Sequence, residues 1–287
     1  MLRSFVSQVL YTGILHMIWS GILFIGILPA FASPSPVHSL PAADDDTLFQ
    51  VGEELTYNVS YIGFDIGRIK VKLLSREADS TSSTISAIAY MDSYKGVPLV
   101  DLHSVFESKF NEAVFSQFFQ ARDKDDDHWK LFKYRFDYVK RVVIVEEGIW
   151  QNNSIDRRDT IGLDTLYQDG LSLFYFARKH VRNNEQLRVP VFVSEKKGMA
   201  EIHFTGQRKK ENIDAVDYPV DVVYFSGRAG FIGVFGLTGG FEGWFSNDEA
   251  RVPILAKMKV IIGNIRIELM EWKRSGWSPP RYSQVKQ

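Results

Sequence analysis

Leu55, Tyr57, Val59 and Tyr61 alternate with Thr56, Asn58 and Ser60, and beyond a bend framed by Gly63 and Gly67 the alternation resumes as Ile69, Val71 and Leu73 against Lys70 and Lys72. A two-residue period gives an extended chain one apolar and one polar face, so this stretch predicts a hairpin. The pattern recurs at Ile85, Ala87 and Ala89, and at Phe132, Tyr134, Phe136 and Tyr138. It recurs again at Ile202 and Phe204, and at Val220, Val222 and Tyr224. Val142–Val145 is a short apolar run, and Met258, Val260 and Ile262 precede the turn pair Gly263-Asn264, after which Ile265, Ile267 and Leu269 alternate with Arg266 and Glu268. One segment has a different period. Leu166, Leu171, Phe174, Tyr175 and Val181 fall three and four residues apart, with Arg178, Lys179, His180 and Arg182 gathered at the end where a helix dipole favours cations. The spacing predicts a helix from about Gln168 to Arg182 that plugs or covers a β fold. The expected class is mainly β: a large curved antiparallel sheet, or an open or closed β-barrel, with one covering α-helix.

The N-terminus has another pattern. Arg3 is the only charge before the apolar run Ile18–Leu28, Pro29 breaks it, and Ala30-Phe31-Ala32 supplies small residues at the −3 and −1 positions of a cleavage site. This reads as a signal peptide over residues 1–32, hence a periplasmic or secreted protein. The rival reading is an uncleaved inner-membrane anchor, since the apolar run extends back towards Gly13. Residues 33–48, rich in Pro, Ala, Ser and Asp, read as a disordered leader. A single domain is expected over 49–274, with a loose tail at 275–287.

Composition narrows the function classes. Of 34 basic residues only Arg3 leaves with the signal, so 33 face 35 acidic ones and the mature charge is −2. That favours neither nucleic acid nor strongly anionic surfaces. There is no cysteine, which removes disulfides and a lipobox together.

The segment WFSNDEARVP (244–253) most resembles a catalytic cluster. Asn247 and Asp248 suit a turn, and Pro253 suits the first position of a strand, so a hairpin connection accounts for every residue. In DKDDDHW, Asp123, Asp125 and Asp127 imitate a calcium loop, but His128 stands where Gly is needed and Tyr134 where a bidentate Glu is needed. Ser172 fails as a nucleophile elbow because Phe174 replaces the second Gly. His38, His103, His128, His180 and His203 have no zinc spacing. No catalytic residue, metal site or cofactor is expected. The glycine-dense stretch 227–244 reads as a hairpin or bulged strand pair, or as an apolar flap over a cavity. On the flap reading, Phe231, Phe235, Phe241 and Trp244, with Phe174 from the helix, would line a ligand site.

Three blocks, VGEELTYNVSYIGFDIGRIKV, DGLSLFYFAR and GWFSNDEARVPILAKMKVIIGNIRIEL, resemble in order and spacing the bacterial exported domain of unknown function DUF3108, over about Phe49–Glu271. The resemblance implies a mainly β fold, similar to the barrels of periplasmic lipoprotein carriers, and brings no catalytic residues. Gly52, Glu53, Tyr57, Gly63, Gly67, Ser172, Trp244, Asp248, Pro253 and Gly263 match as fold determinants. The expected function is non-enzymatic binding of a lipid, an acyl chain or a lipidated partner, with transient membrane contact. The alternatives are an envelope assembly module that docks a protein partner, and a hydrolase whose site is assembled from distant residues.

Overall fold

The computed structural model describes residues 45–78, 83–98, 101–230, 239–259 and 263–284. The signal segment, the leader up to residue 44, and Phe231 and Phe235 lie outside them. One helical turn, Asp45–Leu48, enters the sheet, and Leu48 and Phe49 are already in the core. The first eight strands are β1 (Glu54–Tyr61), β2 (Phe64–Ala78), β3 (Ser83–Ser93), β4 (His103–Asn111), β5 (Ser116–Asp125), β6 (His128–Asp137), β7 (Val142–Ile149) and β8 (Ser154–Gly162). Helix α1 (Ser172–His180) follows, and then β9 (Glu185–Val193), β10 (Lys196–Glu211), β11 (Val220–Ala229), β12 (Gly239–Ser246), β13 (Pro253–Lys259) and β14 (Asn264–Lys273).

All fourteen strands form one antiparallel sheet in the order β8-β7-β6-β5-β4-β3-β2-β1-β14-β13-β12-β11-β10-β9. Each strand pairs with its sequence neighbour, and β14 returns to β1. A β8–β9 pairing would close an up-and-down barrel. It is not made, and the sheet is open there. The sequence left open and closed forms as alternatives, and side chains decide between them. Ile155–Thr160 along β8 points no buried residue at the core, so burial does not drive β8 inward. On the β9 side, Gln168 occupies the edge: its N–H donates to Pro190 O at 2.9 Å, and its carbonyl accepts from Phe192 N at 2.8 Å.

Side chains cross the open seam instead. Phe192 of β9 is fully buried, with ring centroids 5.2 Å from Tyr134, 5.8 Å from Phe136 and 6.4 Å from Tyr167. Arg157 of β8 is paired with Glu195, and Lys197 lies 3.2 Å from Asp164.

Helix α1 occupies the interior. None of its residues is exposed, and Tyr175–Arg178 are buried on every side. Tyr175 packs against Phe110 at 5.1 Å and Phe49 at 6.0 Å, in a core that draws on both halves of the sheet. The helix is shorter than its periodicity predicts. Asp169 ends it early on the N-terminal side by capping. The tail that composition reads as loose is tied as far as it is described: Asp221 N donates to Pro280 O at 2.7 Å, and Tyr282 N to Pro219 O at 2.8 Å. Backbone pairing with the β10–β11 connection holds it, and composition cannot reveal that.

Candidate functional site

Arg178 is the largest fully buried side chain among the described residues. Its guanidinium meets Glu53 with Nη1 to Oε1 at 2.6 Å and Nη2 to Oε2 at 3.1 Å. Nε also donates to Arg251 O at 3.2 Å, and Nη2 to Ala250 O at 2.9 Å. Arg274 joins Glu53 from the other side and donates to Thr47 O. Burial raises the Glu53 carboxyl, but the two guanidiniums outweigh it and hold it below the ordinary carboxylate range. The planar five-donor fork of arginine suits this junction, where a carboxylate and two carbonyls must be met at once. Sequence reading placed Arg178 among the cations that the helix dipole favours at the C-terminal end of the helix. The structure turns it inward.

A second polar cluster caps the other end of α1. Asp169 Oδ1 accepts from the N–H groups of Leu171 and Ser172, both at 2.8 Å, which is N-capping geometry. Oδ2 accepts from Ser108 Oγ at 2.6 Å and Ser116 Oγ at 2.7 Å. Burial raises the Asp169 carboxyl, partly offset by these bonds. Ser172, the elbow candidate, lies in this network, with Oγ 2.8 Å from Ser116 Oγ and accepting from Asp169 N at 2.8 Å. No histidine takes part in this network among the described residues.

WFSNDEARVP is a connection, and it is also the dock for α1. Asp248 Oδ1 accepts from Ser246 Oγ at 2.7 Å and Arg251 N at 3.1 Å, and Oδ2 from Trp277 Nε1 at 2.7 Å. Arg251 has a φ of 44°, which brings its carbonyl and that of Ala250 to Arg178. Arg251 Nη1 in return donates to Lys179 O at 2.9 Å, satisfying a carbonyl at the helix C-terminus. The arginine of each element thus serves the backbone of the other.

The remaining candidates are dispersed. Phe241 and Trp244 lie on β12 and Phe174 on α1, each packed into or against the main core. Phe241 stands across from Gly227, and Phe225 across from Gly243. A methyl on either glycine would overlap the opposing ring, which accounts for the glycines as seats for aromatics. Asp125 and His128 flank the β5–β6 turn, and Lys130 Nζ lies 2.6 Å from Asp125. His103 binds Asp92 at 2.8 Å, and His180 binds Glu185 at 2.8 Å. The hydroxyls of Tyr57 and Tyr175 and both amide atoms of Gln168 are buried without a hydrogen-bond partner among the described residues. An open surface hollow of about 450 Å³ is lined by Gln50, Trp272, Lys273, Arg274 and Trp277 among others.

The junction escaped sequence reading because its members lie far apart. The available signal was an arginine next to the apolar run Leu173–Ala177 of the helix, with a glutamate just ahead of the first strand. Glu53, Arg178 and Arg251 belong to three separate blocks of the chain, and those blocks meet here.

Comparison with known proteins agrees with this architecture. The family model described as "Protein of unknown function (DUF3108)" matches residues 56–270. No curated protein matches the chain. A β-barrel-like protein of the domain of unknown function DUF1849 from Brucella abortus superposes with a TM-score of 0.50 at 8% identity, covering 77% of this chain and 97% of that one. A Bacteroides fragilis protein of YmcC-like fold covers 78% of this chain and 97% of its own, at 8% identity and a TM-score of 0.35. The likeness to the DUF1849 structure is one of fold alone.

Proposed function

The chain belongs to the DUF3108 family of proteins of unknown function, and on that premise we propose that it is a non-enzymatic cell-envelope protein, exported by its N-terminal segment, that docks an amphipathic partner on its outer surface. The observation that carries the reading is where apolar surface is spent. The interior is filled by α1 and the aromatic rings around it. The two best-developed hollows among the described residues are open and lie at the surface. Large apolar side chains stand out into solvent at a hairpin tip. A filled core with exposed apolar groups suits an interaction module better than a carrier with an internal cavity. The buried carboxylates are engaged with arginines, serines and backbone N–H groups, which suits holding a helix in place better than moving protons.

A second reading is an apolar ligand held inside. It draws support from the unpaired β8–β9 seam and from the unpartnered Tyr57, Tyr175 and Gln168 groups beneath the sheet. One experiment separates the two. Native mass spectrometry of protein released gently from the envelope should give the mass of the bare chain. A stoichiometric lipid adduct would establish the interior reading, and recovery from the cytosol would remove export.

A further inference from the structure

Ile62 and Phe64 stand at the tip of the β1–β2 hairpin, 59% and 75% exposed. Ile62 has a φ of 49° and Gly63 of 80°, so the two-residue connection is left-handed at both positions. Such turns favour Asn, Asp or Gly, and a β-branched residue is strained there. The chain therefore keeps a strained isoleucine and displays it in water beside an exposed phenylalanine. Folding rewards neither feature, and strain at an exposed position points to a use outside the fold. The Ile62 side chain approaches Gly263, where an added Cβ would lie 3.3 Å from it.

Around this apex stand tyrosines and cations. Tyr61 and Tyr94 are half-buried. Tyr94 is tied to the hairpin by N–H to Ile66 O at 3.0 Å and by its hydroxyl to Asn58 Oδ1 at 3.1 Å. Exposed cations lie on either side. Lys95 follows Tyr94, Lys259 pairs with Asn264 beside Gly263, and Arg68 lies on β2. Of the nearby carboxylates, Asp65 accepts from Asn58 at 2.6 Å, and Asp92 meets His103 at 2.8 Å and Arg68 at 3.9 Å. An apolar apex with tyrosines and exposed lysines close around it suits a bilayer boundary, where acyl chains, the aromatic-rich interface and the headgroup phosphates meet.

We propose that the β1–β2 tip is a wedge that docks the protein on an anionic lipid bilayer, with Ile62 and Phe64 entering the acyl boundary and Lys95 and Lys259 lying among the headgroup phosphates. This rests on the surface-docking reading above and names its partner.

The chain has no cysteine, so Phe64→Cys labelled with an environment-sensitive dye reports on the tip alone. Val139→Cys, in the β6–β7 connection at the opposite ends of the strands, serves as control. Adding vesicles of phosphatidylethanolamine and phosphatidylglycerol should blue-shift and brighten the first label and leave the second unchanged. In vesicle flotation, Ile62→Asn/Phe64→Ser should lower the bound fraction about tenfold, an order-of-magnitude expectation for losing two buried apolar side chains. Asn suits the left-handed position, so the thermal midpoint should hold or rise, and weaker flotation cannot then be put down to unfolding. A silent Phe64 label, a double variant that floats like the wild type, or a wild type that does not float would each overturn the proposal. None of these results depends on where the cell sends the protein or on whether lipid co-purifies with it, so the wedge and the function above can fail separately.

Discussion

Arg178 and Glu53, 125 positions apart in the chain, form a two-pronged ion pair whose side chains are 0% and 2% exposed. The pair joins the enclosed helix α1 to the residue just ahead of the first strand. Removing one partner leaves an uncompensated charge in the core, so Arg178→Met and Glu53→Gln should each destabilise by about 3–5 kcal/mol. The double variant should cost clearly less than the sum. Urea unfolding of the four proteins in a double-mutant cycle measures the coupling, and additive losses would show that the two side chains act independently.

The same pair sets an acid limit. The Glu53 carboxyl sits below its ordinary value of 4.5 in the folded protein, because the arginines outweigh the burial that raises it. A lowered folded value means that the unfolded chain binds the proton more readily. The stabilisation is therefore fully present above about 4.5 and fades as pH falls through the folded value. Asp169 runs the other way: burial raises it above 3.8, so stability falls as pH climbs through the window above that value. Urea midpoints followed from acid to neutral pH should rise on the low limb in the wild type. In Glu53→Gln that limb should flatten. An unchanged limb would assign the acid sensitivity to other carboxylates.

Asp169 satisfies two helix N–H groups and two serine hydroxyls at once. Asp169→Ala should cost about 2–4 kcal/mol, combining a lost cap with stranded buried donors. Hydrogen exchange should show the first turn of α1 opening before the sheet does.

The seam offers a comparison of forces. Phe192→Ala should destabilise by about 3–5 kcal/mol, whereas Arg157→Ala, itself a solvent-exposed side chain, should cost about 1 kcal/mol or less. Chemical denaturation of both variants tests this, and comparable losses would mean that the ion pairs hold the edges together.

Gly243→Ala should destabilise by about 1–3 kcal/mol, because the new methyl meets the Phe225 ring across the β11–β12 ladder. Combining it with Phe225→Leu should recover part of the loss in thermal unfolding.

Strands with one apolar face were legible along the chain. β1, β2, β6 and β14 announce themselves by alternation, because their inward positions are all apolar. β4 did not, since its inward positions alternate serine with phenylalanine: Ser104, Phe106, Ser108 and Phe110 are all buried, and Ser108 serves Asp169. β8 has no buried face to reveal, and β9 carries Pro190 in its middle. The turn in WFSNDEARVP was legible, because Asn, Asp and Pro encode local geometry. Its second role, as the dock for Arg178, was not.

By itself the sequence determined what depends on near neighbours: strand periodicity, the position of the helix, the turns, and the absence of any spaced catalytic or metal motif. The tertiary structure alone decided that the sheet stays open between β8 and β9, that α1 is enclosed, and that Glu53, Arg178 and Arg251 share one junction. Local patterns record which face of a segment prefers water. A buried charge records the opposite preference, and the chain tolerates it only because a partner more than a hundred residues away arrives to meet it.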